Sequence, residues 1–96
     1  MSELALSILM PVYNEHDRVL AALDEVLATD YGFDFELIVV DDGSFDGTQE
    51  ILRDYPWPAN ARLLVHARNR GKGAAVRAAL AEARGRFATI MDADLE

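Results

Sequence analysis

Three acidic side chains near the end of the chain have the spacing of a metal site. Asp92, Asp94 and Glu96 follow the apolar run Ala88–Met91, and one apolar residue separates each acid from the next. Residues two apart in an extended chain face the same way, so these carboxylates converge. Converging carboxylates repel one another unless a cation lies between them, and oxygen ligands suit Mg²⁺ or Mn²⁺. We therefore predict a site for Mg²⁺ or Mn²⁺ here, against the alternative of a solvated acidic turn.

An alternation of strands and helices must position these acids. Apolar residues at four consecutive positions, Leu37–Val40, are typical of a central parallel strand that helices cover on both faces. Strands that alternate with helices predict an α/β, Rossmann-like parallel sheet with right-handed crossovers. The predicted strands are Leu4–Val12, Phe35–Val40, Arg62–His66 and Phe87–Met91, and the predicted helices run from Asn14 to Gly32, from Asp46 to Pro56 and from Gly71 to about Arg84.

Side chains at the helix starts suggest how two of these helices begin. Asn14 is predicted to cap the first helix, and Asp46 with Gln49 is predicted to form a capping box on the second. Gly85 has the residue type of a left-handed position just after the third helix.

Polar clusters follow every predicted strand. They comprise Tyr13–Glu15, Asp41–Asp42, His66–Lys72 and Asp92–Glu96. The carboxyl ends of parallel strands meet at one edge of a sheet, which is where such folds bind ligands, so the clusters predict a single site. Acids packed together repel, and folding alone gives no reason to accept that cost. Lys72 fits equally well as a contact to the ligand or as a solvated lysine at a helix start.

Composition limits the class of protein. The 96 residues include 17 acidic and 9 basic side chains, for a formal charge of −8, and no cysteine. The acidic balance argues against nucleic acid or an anionic membrane surface as partner, and the lack of cysteine excludes disulfides and thiolate metal sites. We expect one domain over residues 1–96 and a cytoplasmic location.

Four segments of the sequence resemble the N-terminal half of family 2 glycosyltransferases. In chain order they are Ile8–Glu15, Val39–Thr48, Asn69–Ala75 and Met91–Leu95. The last two most resemble the branch that includes the dolichyl- and polyprenyl-phosphate mannosyltransferases. The resemblance implies a partial GT-A fold and an inverting transfer of sugar from a UDP- or GDP-sugar with a divalent metal. It implies a polyprenyl phosphate or another glycan or lipid as acceptor, and possible membrane association of a longer parent.

The resemblance also implies roles for individual residues. Asp42 would bind the nucleobase, with Asp41 structural. The other donor-site residues would be Pro11, Tyr13, Glu15 and Val40 at the base and ribose, Lys72, and Asp92, Ala93 and Asp94 at the ribose, diphosphate and metal. Glu96 stands where that branch usually has glutamine. The general base of the family lies beyond the matched segments, so no catalytic residue is assigned here.

Two other classes of protein share the paired aspartates of this sequence. Phosphatases of the haloacid dehalogenase type and receiver domains also carry paired aspartates at strand ends, but both place them after the first strand. A truncated, inactive module that binds nucleotide or associates with itself is the remaining alternative. For the chain by itself we expect no transfer activity, and we expect a homodimer because the fourth strand would leave an open apolar edge.

Overall fold

The computed structural model describes residues 4–93 and shows four parallel strands alternating with three helices. The elements are β1 (Leu6–Val12), α1 (Val19–Ala28), β2 (Phe35–Asp42), α2 (Thr48–Asp54), β3 (Ala61–His66), α3 (Lys72–Glu82) and β4 (Phe87–Ile90). The sheet has the order β3-β2-β1-β4. The predicted α/β parallel sheet is confirmed. The segment Asp94–Glu96 lies outside the described residues.

Helices cover both faces of the sheet, as the consecutive apolar residues of β2 predicted. Side chains alternate between the two faces of a strand. Leu37 and Val39 pack with α1 and α2, and Ile38 and Val40 pack with Ala75 and Ala79 of α3. The small side chains on α3 let that helix lie close to the sheet.

Pro11 sets the point at which β1 and β4 separate. The two strands are paired from Leu6 with Phe87 to Leu9 with Ile90, and the N–H of Met91 donates to the carbonyl of Leu9 (2.9 Å). The next bond of this parallel ladder would need an N–H at residue 11, which proline lacks. A gap therefore opens between the ends of β1 and β4.

A buried carboxylate holds the opposite end of the sheet together. Glu36 is 3 % exposed, and it accepts hydrogen bonds from the Ser7 hydroxyl (2.6 Å), the Arg84 backbone N–H (2.6 Å) and the Arg62 guanidinium (3.0 Å). These bonds join β1, β2 and β3 to the turn that leads into β4. Burial disfavours the charged form of Glu36, but the hydrogen bonds and the charge of Arg62 outweigh it and lower the pKa of Glu36.

The helix starts differ from the sequence predictions. Asn14 does not cap α1, which begins at Val19; its backbone is left-handed (φ 51°) and its amide oxygen accepts from the Phe45 N–H instead. Gln49 does not complete a capping box, because its amide donates to Asp41 (2.8 Å). In both cases a partner from another element, a loop for Asn14 and β2 for Gln49, replaces the local one.

Gly85 is needed for a close approach rather than for a left-handed turn. A Cβ at this position would lie 2.7 Å from the backbone of Leu6 and Ser7. The Gly85 N–H donates to the Ser7 hydroxyl (2.8 Å), which ties the turn before β4 to β1.

All four residues of β4 are exposed in the part of the chain that the structure describes. Phe87 and Ile90 are the large apolar side chains among them. The predicted homodimer, which would cover this strand, stays a prediction. None of the helices within residues 4–93 is long and apolar enough to cross a membrane.

Candidate functional site

A pocket of about 480 Å³ lies at the carboxyl ends of β1, β2 and β4. It occupies the gap that opens beyond Pro11. The residues that line it are Pro11, Val12, Tyr13, Glu15, Asp42, Asn69, Gly71, Lys72, Asp92 and Ala93. Loops after all four strands contribute, so the predicted convergence of the polar clusters is what the structure shows.

Most of the residues assigned to the donor site meet in this pocket. Seven of them line it: Pro11, Tyr13, Glu15, Asp42, Lys72, Asp92 and Ala93. Val40 is the exception within the described residues. The side chain of Val40 is fully buried and packs against α3. It therefore does not reach the pocket at the end of β2. Asp94 and Glu96 lie outside the described residues.

Asp42 is the most heavily hydrogen-bonded side chain of the pocket. Its Oδ1 accepts from the Arg70 N–H (2.9 Å) and lies 2.8 Å from His66 Nδ1, and its Oδ2 accepts from the Gly71 N–H (2.8 Å). Burial disfavours the charged form of Asp42, but these bonds outweigh it and lower the pKa of Asp42 below its ordinary value of 3.8. An ionised carboxylate only accepts, so His66 Nδ1 is the protonated ring nitrogen that donates.

These bonds fix the third loop of the site to the end of β2. The side-chain amide of Asn69 adds a bond to the Asp42 carbonyl (3.3 Å). Gly43 allows the two loops to meet, since a Cβ there would overlap the backbone of Arg68 and Asn69. Asp42 therefore has two roles in the structure. It orders the loop of residues 67–71, and it presents a fixed acceptor beside the pocket.

Asp41 lies on the other face of β2, away from Asp42. It is fully buried, its Oδ2 accepts from Gln49, and its Oδ1 has no hydrogen-bond partner among residues 4–93. The bond to Gln49 fixes α2 to the sheet. The structural role predicted for Asp41 is compatible with this position and stays a prediction.

Lys72 and Asp92 form an ion pair at the rim of the pocket. Lys72 Nζ lies 2.7 Å from Asp92 Oδ1, and both side chains are about half exposed to solvent. Such an exposed pair adds little to stability, typically less than about 1 kcal/mol. Each group is therefore free to exchange its partner for a ligand, which favours a role for Lys72 in the site over that of a merely solvated lysine.

Three residues of the pocket had no role assigned from the sequence. Val12 ends β1, and Asn69 and Gly71 belong to the loop before α3. For Asn69 and Gly71 the available signal was their place immediately before an alanine-rich helix, because the loop after a parallel strand returns to the binding edge. His66, which the sequence placed only in the polar cluster after the third strand, joins the site through its contact with Asp42.

Comparison with known proteins decides the family. The sequence model described as Glycosyl transferase family 2 matches residues 7–96. The chain belongs to glycosyl transferase family 2. Among its relatives in this family, a dolichyl-phosphate beta-glucosyltransferase of Drosophila melanogaster is 42% identical over 101 residues, which cover 95% of this chain and 31% of that protein. The protein of the same description from Homo sapiens is 36% identical over 99 residues, covering 93% and 31%.

Solved structures of glycosyltransferases share the fold. The mannosyltransferase PcManGT from Pyrobaculum calidifontis, in complex with GDP-Man and Mn²⁺, superposes with a TM-score of 0.85 at 32% identity over 96% of this chain and 28% of that one. S. aureus TarS 1-349 in complex with UDP gives a TM-score of 0.80 at 29% identity over 95% and 28%. The predicted partial GT-A fold is confirmed. The chain spans about 30% of the length of these relatives.

Proposed function

We propose that this chain is the nucleotide-sugar-binding part of an inverting glycosyltransferase that transfers a sugar from a UDP- or GDP-sugar to a polyprenyl phosphate. The observation that carries the proposal is the pocket beyond Pro11, which combines a fixed carboxylate, an aromatic ring and an exchangeable ion pair. Two similar proteins of known structure are described in complex with GDP-Man and with UDP. The dolichyl-phosphate glucosyltransferases among the relatives support the lipid-phosphate acceptor.

Each pocket residue matches a part of a nucleoside diphosphate. The ring of Tyr13 offers an apolar surface to a flat nucleobase. Asp42 Oδ2 has one protein donor and retains acceptor capacity for an N–H of uracil or guanine. Lys72 lines the pocket beside Asp92, where its ammonium can donate to a phosphate oxygen.

The donor set also fits a divalent metal. Asp92 brings a half-exposed carboxylate to the pocket rim, and carboxylate oxygens are the ligands that Mg²⁺ and Mn²⁺ take. Three candidate ligands do not converge anywhere within residues 4–93. The proposed metal site combines Asp92 with Asp94 and Glu96, which lie outside the described residues, and takes the diphosphate as a further ligand. A metal here would neutralise charge on the nucleotide leaving group.

Binding of UDP and GDP should depend on the metal and on Asp94. We expect isothermal titration of the chain with either nucleotide to give tighter binding in Mn²⁺ than in EDTA. In Asp94→Ala the affinity in Mn²⁺ should fall to the value in EDTA, because the metal loses a charged ligand. Asp17→Ala is the matched control, since Asp17 is an exposed acid that does not line the pocket. Unchanged metal dependence in Asp94→Ala would show that the metal is held elsewhere.

Replacing Asp42 by asparagine should weaken nucleotide binding by about 1–3 kcal/mol. Asparagine replaces one carboxylate oxygen with an NH₂ group, which faces an N–H donor and cannot accept from it. The change therefore disturbs the loop of residues 67–71, and it also removes an acceptor for the base. Titration with UDP and GDP measures the loss, and thermal unfolding checks that the variant folds. Asp41→Asn is the comparison, and an equal loss in both variants would contradict the separate roles of the two aspartates.

A further inference from the structure

Three hydrogen bonds fasten the loop after β1 to the loop after β2. The Asn14 amide oxygen accepts from the Phe45 N–H (3.0 Å), and the Asn14 N–H donates to the Ser44 hydroxyl (2.9 Å). The His16 N–H donates to Asp46 (3.3 Å). Asn14 takes a left-handed backbone conformation to make its bonds, which few residues other than glycine and asparagine do at low cost. The two loops therefore form one unit at the mouth of the pocket.

This unit places two aromatic rings against each other. The centroids of Tyr13 and Phe45 lie 6.1 Å apart with an angle of 67° between the ring planes, an edge-to-face arrangement that is favourable for aromatic pairs. Tyr13 lines the pocket, whereas Phe45 does not. Phe45 contacts the ring of Tyr13 but is itself 79% exposed, so it contributes little to the core.

We propose that Phe45 is a positioning residue for nucleobase recognition, which holds the Tyr13 ring at the angle that a bound base requires. This inference rests on the proposed nucleotide-binding function. Tyr13 stands on a loop with its side chain 42% exposed, and without a neighbour its ring would sample several rotamers. Contact with Phe45 restricts the ring before the ligand arrives, which lowers the entropic cost of binding. Phe45 acts on the base through Tyr13 and leaves the diphosphate end of the pocket unaffected.

The chain contains a matched control for this pair. Phe33 is an exposed phenylalanine like Phe45, at 51% against 79%, and its ring lies 6.1 Å from that of Tyr31. It lies before β2, at the edge of the sheet opposite the pocket. The rings of Tyr31 and Phe33 are stacked, with 22° between their planes, so the two pairs share composition and separation but not angle. Phe33→Ala and Phe45→Ala therefore remove the same side chain from a tyrosine–phenylalanine pair, and only the pair of Tyr13 and Phe45 borders the pocket.

The test compares ligands with and without a base in the presence of Mn²⁺. Phe45→Ala should weaken the binding of UDP and GDP about three- to tenfold, the range that an aromatic pair is worth. Its affinity for inorganic pyrophosphate should change by less than about twofold, since pyrophosphate has no base to meet Tyr13. Phe33→Ala should change neither, and Phe45→Tyr should restore nucleotide affinity because the edge-to-face contact is kept.

Several outcomes would overturn the inference. Unchanged nucleotide affinity in Phe45→Ala would show that Tyr13 needs no support. Equal losses for pyrophosphate and the nucleotides would show a general effect on the loops rather than on the base. If the unaltered chain bound pyrophosphate with Mn²⁺ but neither UDP nor GDP, the proposed function would fail and this inference with it.

Discussion

Replacing Glu36 by alanine is expected to lower the free energy of unfolding by about 2–5 kcal/mol. The change leaves the buried Ser7 hydroxyl and the part-buried Arg84 N–H without their acceptor, and an unsatisfied buried donor costs about 1–3 kcal/mol. It also frees the turn that leads into β4. Urea unfolding followed by circular dichroism measures the loss. Glu82→Ala is the control, because Glu82 pairs with the same Arg62 but is half exposed and should cost less than about 1 kcal/mol.

The contribution of Glu36 should also depend on pH in a defined direction. Its pKa is lowered in the folded chain, so its stabilising effect is complete above its ordinary value of 4.5 and is lost as pH falls through the lower folded value. Unfolding measured from pH 7 to pH 3 should therefore show a stability gap between the unaltered chain and Glu36→Gln that narrows below about pH 4.5. A constant gap over this range, or equal costs for Glu36→Ala and Glu82→Ala, would contradict the role given to Glu36.

Alanine at Gly43 is expected to damage both the fold and the pocket. The backbone there is left-handed (φ 74°), and a Cβ would lie 2.8 Å from the Arg68 Cα and overlap the backbone beside it. The strain and the overlap together should cost about 2–5 kcal/mol. The loop of residues 67–71 must move away, which takes the N–H groups of Arg70 and Gly71 from Asp42. Urea unfolding and titration with UDP and GDP measure the two effects.

Gly32 provides the control for Gly43. It has nearly the same backbone angle (φ 78°), but a Cβ there would have no atom within 4 Å. Gly32→Ala should therefore show only the conformational cost, about 1–2 kcal/mol, with nucleotide affinity unchanged. If the two variants lost equal stability and both bound nucleotide normally, the close approach of the two loops would be unimportant to the site.

The sequence predicted the strands and the edge of the sheet that carries the site because both depend on local patterns. Apolar runs such as Leu37–Val40 mark buried strands, and the chain direction alone puts the following polar residues at one edge. Pro11 could be assigned to the site only through the family resemblance. Its effect on the β1–β4 ladder depends on which strand lies beside β1, and the strand order was not predicted.

What the sequence did not predict depends on pairs of residues far apart in the chain. The contact of His66 with Asp42 follows from the register of β2 with β3, in which these two residues are partners. Asn14 has the residue type of a helix cap, but its amide oxygen serves Phe45 in another loop. Helix-capping rules consider only the backbone groups that are near a side chain in the sequence. They therefore do not predict tertiary contacts of this kind.

The place of β4 in the sheet has a consequence for how the chain acquires its fold. One helix joins β1 to β2 and another joins β2 to β3, whereas the pair that brings Leu6 next to Phe87 connects the two ends of the described chain. Contacts between such distant segments form late and slowly, since the entropy of closing the loop is lost before the contact stabilises anything. During synthesis, β1, β2 and β3 are made before β4. The wall of the pocket that carries Asp92 is thus the last of its walls to be made, and the pocket is complete only after β4 has joined β1.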